Sequence, residues 1–135
     1  MSDGNKMQCK IITPERIFFD EAVDMVELNT TEGEIGVYKN HVPMTMIIAP
    51  GVLTITKDDQ KKEAALLSGF VQILEDSITI LAEAVEWPDE IDAQRAEAAR
   101  QRAEKRLASQ DSRIDYLRAE VALKRAVCRI NMLKK

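Results

Sequence analysis

The chain has 135 residues, 31% of them charged and 45% hydrophobic, and a formal net charge of −4. These values are typical of a soluble globular protein, and no apolar run approaches the roughly 20 residues that a membrane-spanning helix needs. The N-terminal segment lacks the apolar core of a signal peptide, and Cys9 and Cys128 lie far apart, so we expect free thiols in a reducing compartment.

Charge and turn-forming residues divide the chain in two. Residues 1–86 carry 15 acidic and 7 basic side chains, a balance of −8, whereas residues 87–135 carry 8 acidic and 12 basic side chains, a balance of +4. All five glycines and three of the four prolines lie in the first part. We therefore expect two structural units, residues 1–86 and residues 87–135, joined at Trp87-Pro88.

The first unit is rich in β-branched and aliphatic residues, interrupted at short intervals by turn-forming residues. Alternation is clear in GVLTIT, where Leu53 and Ile55 point to one side of a strand and their neighbours to the other. This pattern predicts a small antiparallel β-sandwich or barrel. The predicted strands lie in MQCKIITP, RIFF, AVDMVEL, IGVY, MTMIIAP, GVLTIT, EAALLSGFVQIL and SITILAEAVE.

The sequence of the second unit predicts an antiparallel hairpin of two helices. Together with the predicted strands of the first unit, this gives an expected fold class of α+β. Pro88 is suited to the start of the first helix, and Asp89, Glu90 and Asp92 would lie in its first turn, where the helix dipole favours negative charge. Alanines line this helix and allow close approach of another backbone, but they bury little apolar area. We therefore expect the hairpin to need a further surface for stability and to be mobile.

The segment Ser109–Ser112 interrupts the helical pattern, and Asp111 or Ser112 is the expected N-cap of the second helix. The apolar side of this helix is predicted to carry Ile114, Leu117, Val121 and Cys128.

Each predicted helix carries a stripe of three arginines at spacings of seven and then four residues. Two such stripes repel each other unless an anion lies between them or they face different partners. Spacing alone favours a solvated or protein-binding face over a phosphate site. Nucleic acid is not expected, because the chain is acidic overall and this unit has only two aromatic residues. The stripes are Arg95, Arg102 and Arg106, and Arg118, Arg125 and Arg129.

No motif indicates a catalyst. His41 is the only histidine, with no neighbouring ligand at metal-binding spacing, and no serine, cysteine or lysine has a general base beside it in sequence. The residues alone therefore predict a binding or regulatory protein with no catalytic residues, no metal site and no required cofactor. An unrelated small enzyme remains an alternative.

The segment TTEGEIGVYKNHVPMTMIIAPGVLTI resembles the signature of the epsilon subunits of F-type ATP synthases, and EAALLSGFVQILEDSITILAE and IDAQRAEAARQRAEKRL continue the similarity. Tyr38-Lys39-Asn40 departs from a leucine-proline pair found in many members. The resemblance implies a non-catalytic rotor subunit of the central stalk, peripheral to the cytoplasmic side of the cell membrane. Its sandwich would bind the gamma subunit and the c-ring, with loop contacts expected at Glu32, His41, Val42 and Pro43.

The resemblance also implies a mobile hairpin that inhibits ATP hydrolysis when it extends into the alpha/beta catalytic head. Within EIDAQRAEAAR, residues 91–96 match the I/L-D-x-x-R-A motif by which some bacterial members bind ATP in the compact state. Two alternatives stay open: a purely structural Asp92–Arg95 pair, and a purely structural stalk subunit with a fixed hairpin. The residues that the motif assigns to regulatory ATP are Glu86, Ile91 and Asp92, with Arg95, Arg102, Arg125 and Arg129 around the phosphates.

Overall fold

The computed structural model describes residues 5–109, 111 and 115–134. In these ranges a sheet of eight strands is followed by two helices, so the predicted α+β class is confirmed. The strands are β1 (Met7–Ile12), β2 (Ile17–Val23), β3 (Met25–Thr30), β4 (Gly33–Val37), β5 (Met44–Ile47), β6 (Gly51–Lys57), β7 (Gln60–Ile73) and β8 (Ser77–Glu86). A 3₁₀ turn (Pro88–Glu90) leads to the helices α1 (Ala93–Ala108) and α2 (Tyr116–Leu133).

The strands follow the order β2-β1-β8-β7-β6-β3-β4, with β5 added beside β7. All neighbours pair antiparallel except β1 and β8, which run parallel, a departure from the expected uniformly antiparallel sheet. A second difference concerns β2. The sequence predicts two separate strands on either side of Asp20-Glu21, whereas β2 continues through these residues to Val23 and the chain bends at Asp24.

The long strand β7 is bent near its middle. Its first half pairs with β6 and its second half with β5, and the register against β8 shifts around Ser68 and Gly69. Gly69 has a φ of +131°, and a Cβ added there would lie 2.1 Å from the carbonyl oxygen of Leu81. Only glycine therefore fits this bulge, which lets one strand serve two partners and fold the sheet into a sandwich.

Alternate residues of the strands fill the interior of the sandwich, as period-2 alternation predicts. In β6, Leu53 and Ile55 are buried while their neighbours are partly exposed. Cys9 also lies in this core, fully buried, and burial raises the pKa of its thiol to about 12. The sandwich thus has a core of its own, independent of the helices.

The first helix begins later than predicted. Pro88 opens the 3₁₀ turn, which also contains Asp89 and Glu90, and α1 starts at Ala93. Asp92 is the N-cap of α1, because its Oδ1 accepts a hydrogen bond of 3.1 Å from the backbone N–H of Arg95. The prediction of acidic residues in the first turn of α1 is therefore wrong. The carboxylate of Asp92 instead accepts a hydrogen bond from one of the N–H groups that have no partner inside the helix.

The start of α2 also differs from the prediction. Asp115 is its N-cap, accepting from the backbone N–H of Arg118 at 3.1 Å, so Asp111 does not have this role. The other candidate, Ser112, lies outside the described residues. The cap is set by where the helical conformation begins, and several short polar residues in one segment compete for that position.

The two helices contact each other through small side chains. The buried residues of α1 are Ala96 and Ala103, and the buried residues of α2 include Ala119 and Ala126. The predicted apolar side of α2 is wrong at Leu117, which is 71% exposed, because close packing of alanines determines the buried side; Ile114 lies outside the described residues. No helix in the described part of the chain is long and apolar enough to span a membrane.

Gly69→Ala is expected to lower the free energy of unfolding by more than Gly33→Ala. Both glycines have positive φ, +131° and +119°, so both substitutions strain the backbone, by about 1–3 kcal/mol. The added methyl meets backbone only at Gly69, since a Cβ at Gly33 has no neighbour within 4 Å. Urea unfolding of the full chain measures the difference, and equal midpoints for the two variants would contradict the assigned role of Gly69.

Candidate functional site

The hairpin is docked on the sandwich mainly through α2. Cys128 and Met132 of α2 pack against Ala65 and Leu67 of β7 in a small cluster that is separate from the sandwich core, and we call this contact the joint. Full burial of one large side chain contributes only about 1.5–3 kcal/mol. A cluster with two large members and several small ones therefore holds the hairpin weakly. Val52, Ala84 and Ile91 complete the joint.

One ion pair crosses the joint. Arg129 of α2 donates through Nε to Oε1 of Glu86 at 2.6 Å, and both side chains are about 30% exposed, at 27% and 31%. Partial burial makes this pair stronger than a fully solvated one, and it connects the end of β8 to the last turns of α2. Both residues belong to the set assigned to ATP from the sequence.

The linker before α1 is fixed to the sandwich. The ring of Trp87 stacks on Phe18 with a centroid separation of 4.4 Å, and Arg16 binds both carboxylate oxygens of Glu90, at 2.6 and 2.9 Å. Glu90 also accepts from the backbone N–H of Trp87, and these hydrogen bonds hold the pKa of its carboxyl below the usual value. The 3₁₀ turn is therefore held to the sandwich as far as Glu90.

Between this linker, the start of α1 and α2 lies a cleft of about 300 Å³, which we call the joint cleft. Five of the seven residues assigned to ATP line it together, although they come from β8, the N-cap of α1, α1 and α2. Its lining residues are Glu86, Glu90, Asp92, Arg95, Ala96, Ala99, Arg102 and Arg129.

The charges in the joint cleft are only partly paired. Glu86 pairs with Arg129, and Glu90 pairs with Arg16 from outside the cleft. Within the described ranges, Arg95 and Arg102 have no ion-pair partner. Two unpaired guanidinium groups on one helix face are suited to phosphate oxygens, because their planar donor forks match that geometry.

Two of the residues assigned to ATP lie outside the joint cleft. Ile91 packs against the apolar cluster of the joint, so its contribution is to hold α1 in place. Arg125 lines a different cleft, nearer the turn of the hairpin, together with Arg106 and Arg118. The expected Asp92–Arg95 pair exists, but as the capping hydrogen bond to the backbone of Arg95.

The four residues expected to contact a membrane ring lie in two segments, one before and one after β4. Glu32 lies exposed in the turn before β4, whereas His41, Val42 and Pro43 lie in the loop after it. The five residues of β4, which span about 17 Å, lie between these two segments in the chain. In that loop the imidazole Nδ1 of His41 lies 2.8 Å from the carbonyl oxygen of Val42. The residue Val42 is 71% exposed.

The β4–β5 loop and the hairpin lie at opposite ends of the sandwich. The backbone N–H of Asn40 donates to the carbonyl oxygen of Glu75, in the turn before β8. Glu86, which contacts α2, is the last residue of β8, and the ten residues of this strand span about 33 Å.

A row of apolar side chains crosses five strands on the outside of the sheet. Its residues lie directly opposite one another in the ladder, and residues in register share a face. All of them are exposed except Ile12, which is half-buried. The row, which we call the apolar row, consists of Ile47, Phe70, Leu81, Ile12 and Ile17.

The residues of the joint cleft that sequence reasoning missed are Glu90, Ala96 and Ala99. Ala99 shares the face of Arg95 and Arg102 at spacings of four and three, so helical periodicity could have placed it in the cleft. The position of Glu90 depends on its contact with Arg16, which is 74 residues away in sequence, and no local sequence pattern reveals that contact.

Family models match almost the whole chain. The model of the ATP synthase delta/epsilon chain beta-sandwich domain matches residues 6–88, and that of the ATP synthase delta/epsilon chain long alpha-helix domain matches residues 89–134.

Several bacterial proteins and two solved structures are similar to the chain over most of its length. The ATP synthase epsilon chain of Caldanaerobacter subterraneus subsp. tengcongensis is 45% identical over 127 residues, covering 93% of this chain and 92% of that one. The epsilon chain of Alkaliphilus metalliredigens is 41% identical over 131 residues, with coverage of 97% and 98%.

Among solved structures, a chain in the mitochondrial ATP synthase of Euglena gracilis superposes with a TM-score of 0.83 at 20% identity, covering 97% of this chain and 82% of that one. A chain in the central stalk and c-ring structure of the Tetrahymena thermophila enzyme gives a TM-score of 0.58 at 14% identity, with coverage of 96% and 94%. At these identities the likeness supports the fold.

Arg129→Gln is expected to speed the reaction of Cys128 with an alkylating reagent, because loss of the ion pair to Glu86 weakens the joint that buries this thiol. Burial raises the pKa of the Cys128 thiol and the charge of Arg129 lowers it, so loss of that charge alone would slow labelling, and faster labelling reports opening of the joint. Lys124→Gln, at an exposed position on the same helix, is the matched control. Cys9 in the sandwich core serves as the internal reference that should stay unlabelled in every variant. Equal rates for wild type, Arg129→Gln and Lys124→Gln would contradict the role of the pair.

Proposed function

The chain belongs to the ATP synthase delta/epsilon family, as a non-catalytic subunit of the epsilon type, and from that premise we propose that it is a central-stalk rotor subunit whose hairpin regulates ATP hydrolysis. In this proposal the docked hairpin is the permissive state, and the undocked hairpin extends into the alpha/beta head and hinders hydrolysis. ATP bound in the joint cleft stabilises the docked state. The observation that carries the proposal is that one cleft joins β8, α1 and α2 and contains two unpaired arginines.

Binding in the joint cleft favours docking because the cleft exists only while α2 lies on the sandwich. Its walls include Glu86 of the sandwich and Arg129 of α2, which separate when the hairpin moves away. A ligand that needs both walls shifts the equilibrium by its difference in affinity between the two states. At a free ligand concentration of 100 Kd, binding stabilises the docked state by about 2.7 kcal/mol, which is comparable with the free energy of the weak apolar contact of the joint.

The proposed partners of the sandwich are the gamma subunit and the c-ring. The apolar row is an exposed apolar strip of the kind that marks a protein interface, and we assign it to gamma. The β4–β5 loop, with the exposed Val42, lies at the end of β8 remote from the hairpin, which suits a contact with the ring. In this arrangement the protein is peripheral to the cytoplasmic side of the membrane and helps to couple ion flow to rotation.

A purely structural stalk subunit with a fixed hairpin is the second candidate. The observation that favours it is the fixed linker, in which Trp87 and Glu90 are held by Phe18 and Arg16. The same linker is compatible with a mobile hairpin if the chain pivots at Ile91 and Asp92, which lie between the 3₁₀ turn and α1.

Calorimetric titration of ATP into the chain is expected to show binding that Arg95→Ala and Asp92→Asn both weaken by about tenfold or more, since each removes a charged contact. Asp92→Asn is preferred to alanine because asparagine retains the N-cap of α1. Lys105→Ala, an exposed position on α1 outside the joint cleft, is the control and should bind as wild type. Absence of heat at millimolar ATP would exclude the nucleotide site and leave the second candidate.

Shortening the chain to end at Glu90 is expected to raise ATP hydrolysis by the assembled ATP synthase, because no hairpin remains to enter the head. This end point keeps Trp87 on Phe18 and Glu90 on Arg16, so the sandwich retains its contacts. Copurification of the shortened chain with the complex establishes that it is assembled. Hydrolysis equal to that of the complete complex would support the fixed hairpin.

A further inference from the structure

The arginine stripes of the hairpin extend beyond the joint cleft. Arg106 lies eleven residues after Arg95 on α1, which places it about 16 Å farther along the helix. That distance exceeds the length of a triphosphate chain, so one nucleotide in the joint cleft does not account for both ends of the stripes.

At the turn end of the hairpin lies a second, larger cleft of about 860 Å³, which we call the loop-end cleft. Arg106 reaches it from the last turn of α1, and Arg118 and Arg125 reach it from one face of α2, seven residues apart. The remaining wall is small or apolar except for Asp115. Its other lining residues are Leu117, Ala119, Val121 and Ala122.

The positive charge in the loop-end cleft is only partly compensated by the described part of the chain, since three arginines face one carboxylate, Asp115. There, none of the three arginines has an ion-pair partner. Asp115, the carboxylate of the lining, uses Oδ1 to cap α2 through the N–H of Arg118. In addition, Nε of Arg125 is buried without a hydrogen-bond acceptor among the described residues, and a buried donor without an acceptor is unfavourable unless a ligand supplies one.

We propose that the loop-end cleft is a second anion site, distinct from the joint cleft, which binds a phosphoanhydride chain such as pyrophosphate or the diphosphate of a nucleotide. Three guanidinium groups provide charge and paired donors for the phosphate oxygens, and the concave wall brings a small ligand within reach of the buried Nε. A protein surface would contact mainly the exposed arginines at the rim, Arg106 and Arg118. The inference does not depend on the nucleotide site proposed above.

Titration of pyrophosphate into the full chain, followed by calorimetry and by amide shifts in NMR spectra, tests this site. Arg106→Gln and Arg118→Gln are each expected to weaken the pyrophosphate binding that is reported by amide shifts at the loop-end cleft, by about tenfold or more. Arg95→Gln, in the joint cleft, is expected to leave those amide shifts at the loop-end cleft as in wild type. Lys105→Gln removes the same charge from an exposed neighbouring position and should bind as wild type. Shifted amides are expected around Arg118–Arg125.

The outcomes separate the alternatives. Absence of pyrophosphate binding would overturn the site and leave the arginines to an acidic protein surface. Weakening by Arg95→Gln but not by Arg106→Gln would place the anion in the joint cleft. Equal weakening by Lys105→Gln would show that binding depends only on the total positive charge of the hairpin.

A parallel titration with ADP distinguishes the source of the anion. Binding of ADP that is tighter than that of pyrophosphate and still requires Arg106 indicates a nucleotide, and weaker binding of ADP indicates the inorganic anion. Failure of ATP to bind the joint cleft would leave these results unaffected.

Discussion

The weak contact between α2 and the outer face of β7 is the constraint on which the rest of the structure depends. The sandwich has its own core, whereas the hairpin has an interface of alanines and a small apolar joint. Each large side chain buried in that joint contributes about 1.5–3 kcal/mol, which is within the range that one bound ligand can match. A hairpin held more strongly by its own sandwich could not be displaced by a ligand or a partner.

The linker before α1 is attached to the sandwich by side-chain contacts. Stacking of Trp87 on Phe18 and the Arg16–Glu90 pair extend the rigid sandwich through the 3₁₀ turn. The pivot that the proposed function requires is therefore expected at Ile91 and Asp92, beside the joint cleft. In the proposed function, a ligand in that cleft would contact residues on both sides of this segment, from β8 to α2.

The fold class was predictable because it depends on local signals. Alternation in β6 and the change in composition at Trp87 are visible in short windows of sequence. The buried side of α2 was not predictable in the same way: the large residue Leu117 is exposed, while Ala119 and Ala126 are buried because backbones approach closely there. The motif identified five of the residues that line the joint cleft. It could not identify Glu90 or place Arg125 in the other cleft, because these positions depend on long-range contacts and on the rotation of α2, which only the assembled structure defines.

Hydrogen exchange of the full chain, with and without saturating ATP, tests most directly the claim that nucleotide strengthens docking of the hairpin. Undocking leaves α2 with little support, because isolated helices of this length are marginally stable. ATP is expected to slow exchange of the amides of α1 and α2 and of the joint, while the sandwich core around Leu53 and Ile55 exchanges as before. Unchanged or faster exchange of the helices at saturating ATP would contradict an ATP-stabilised docked state.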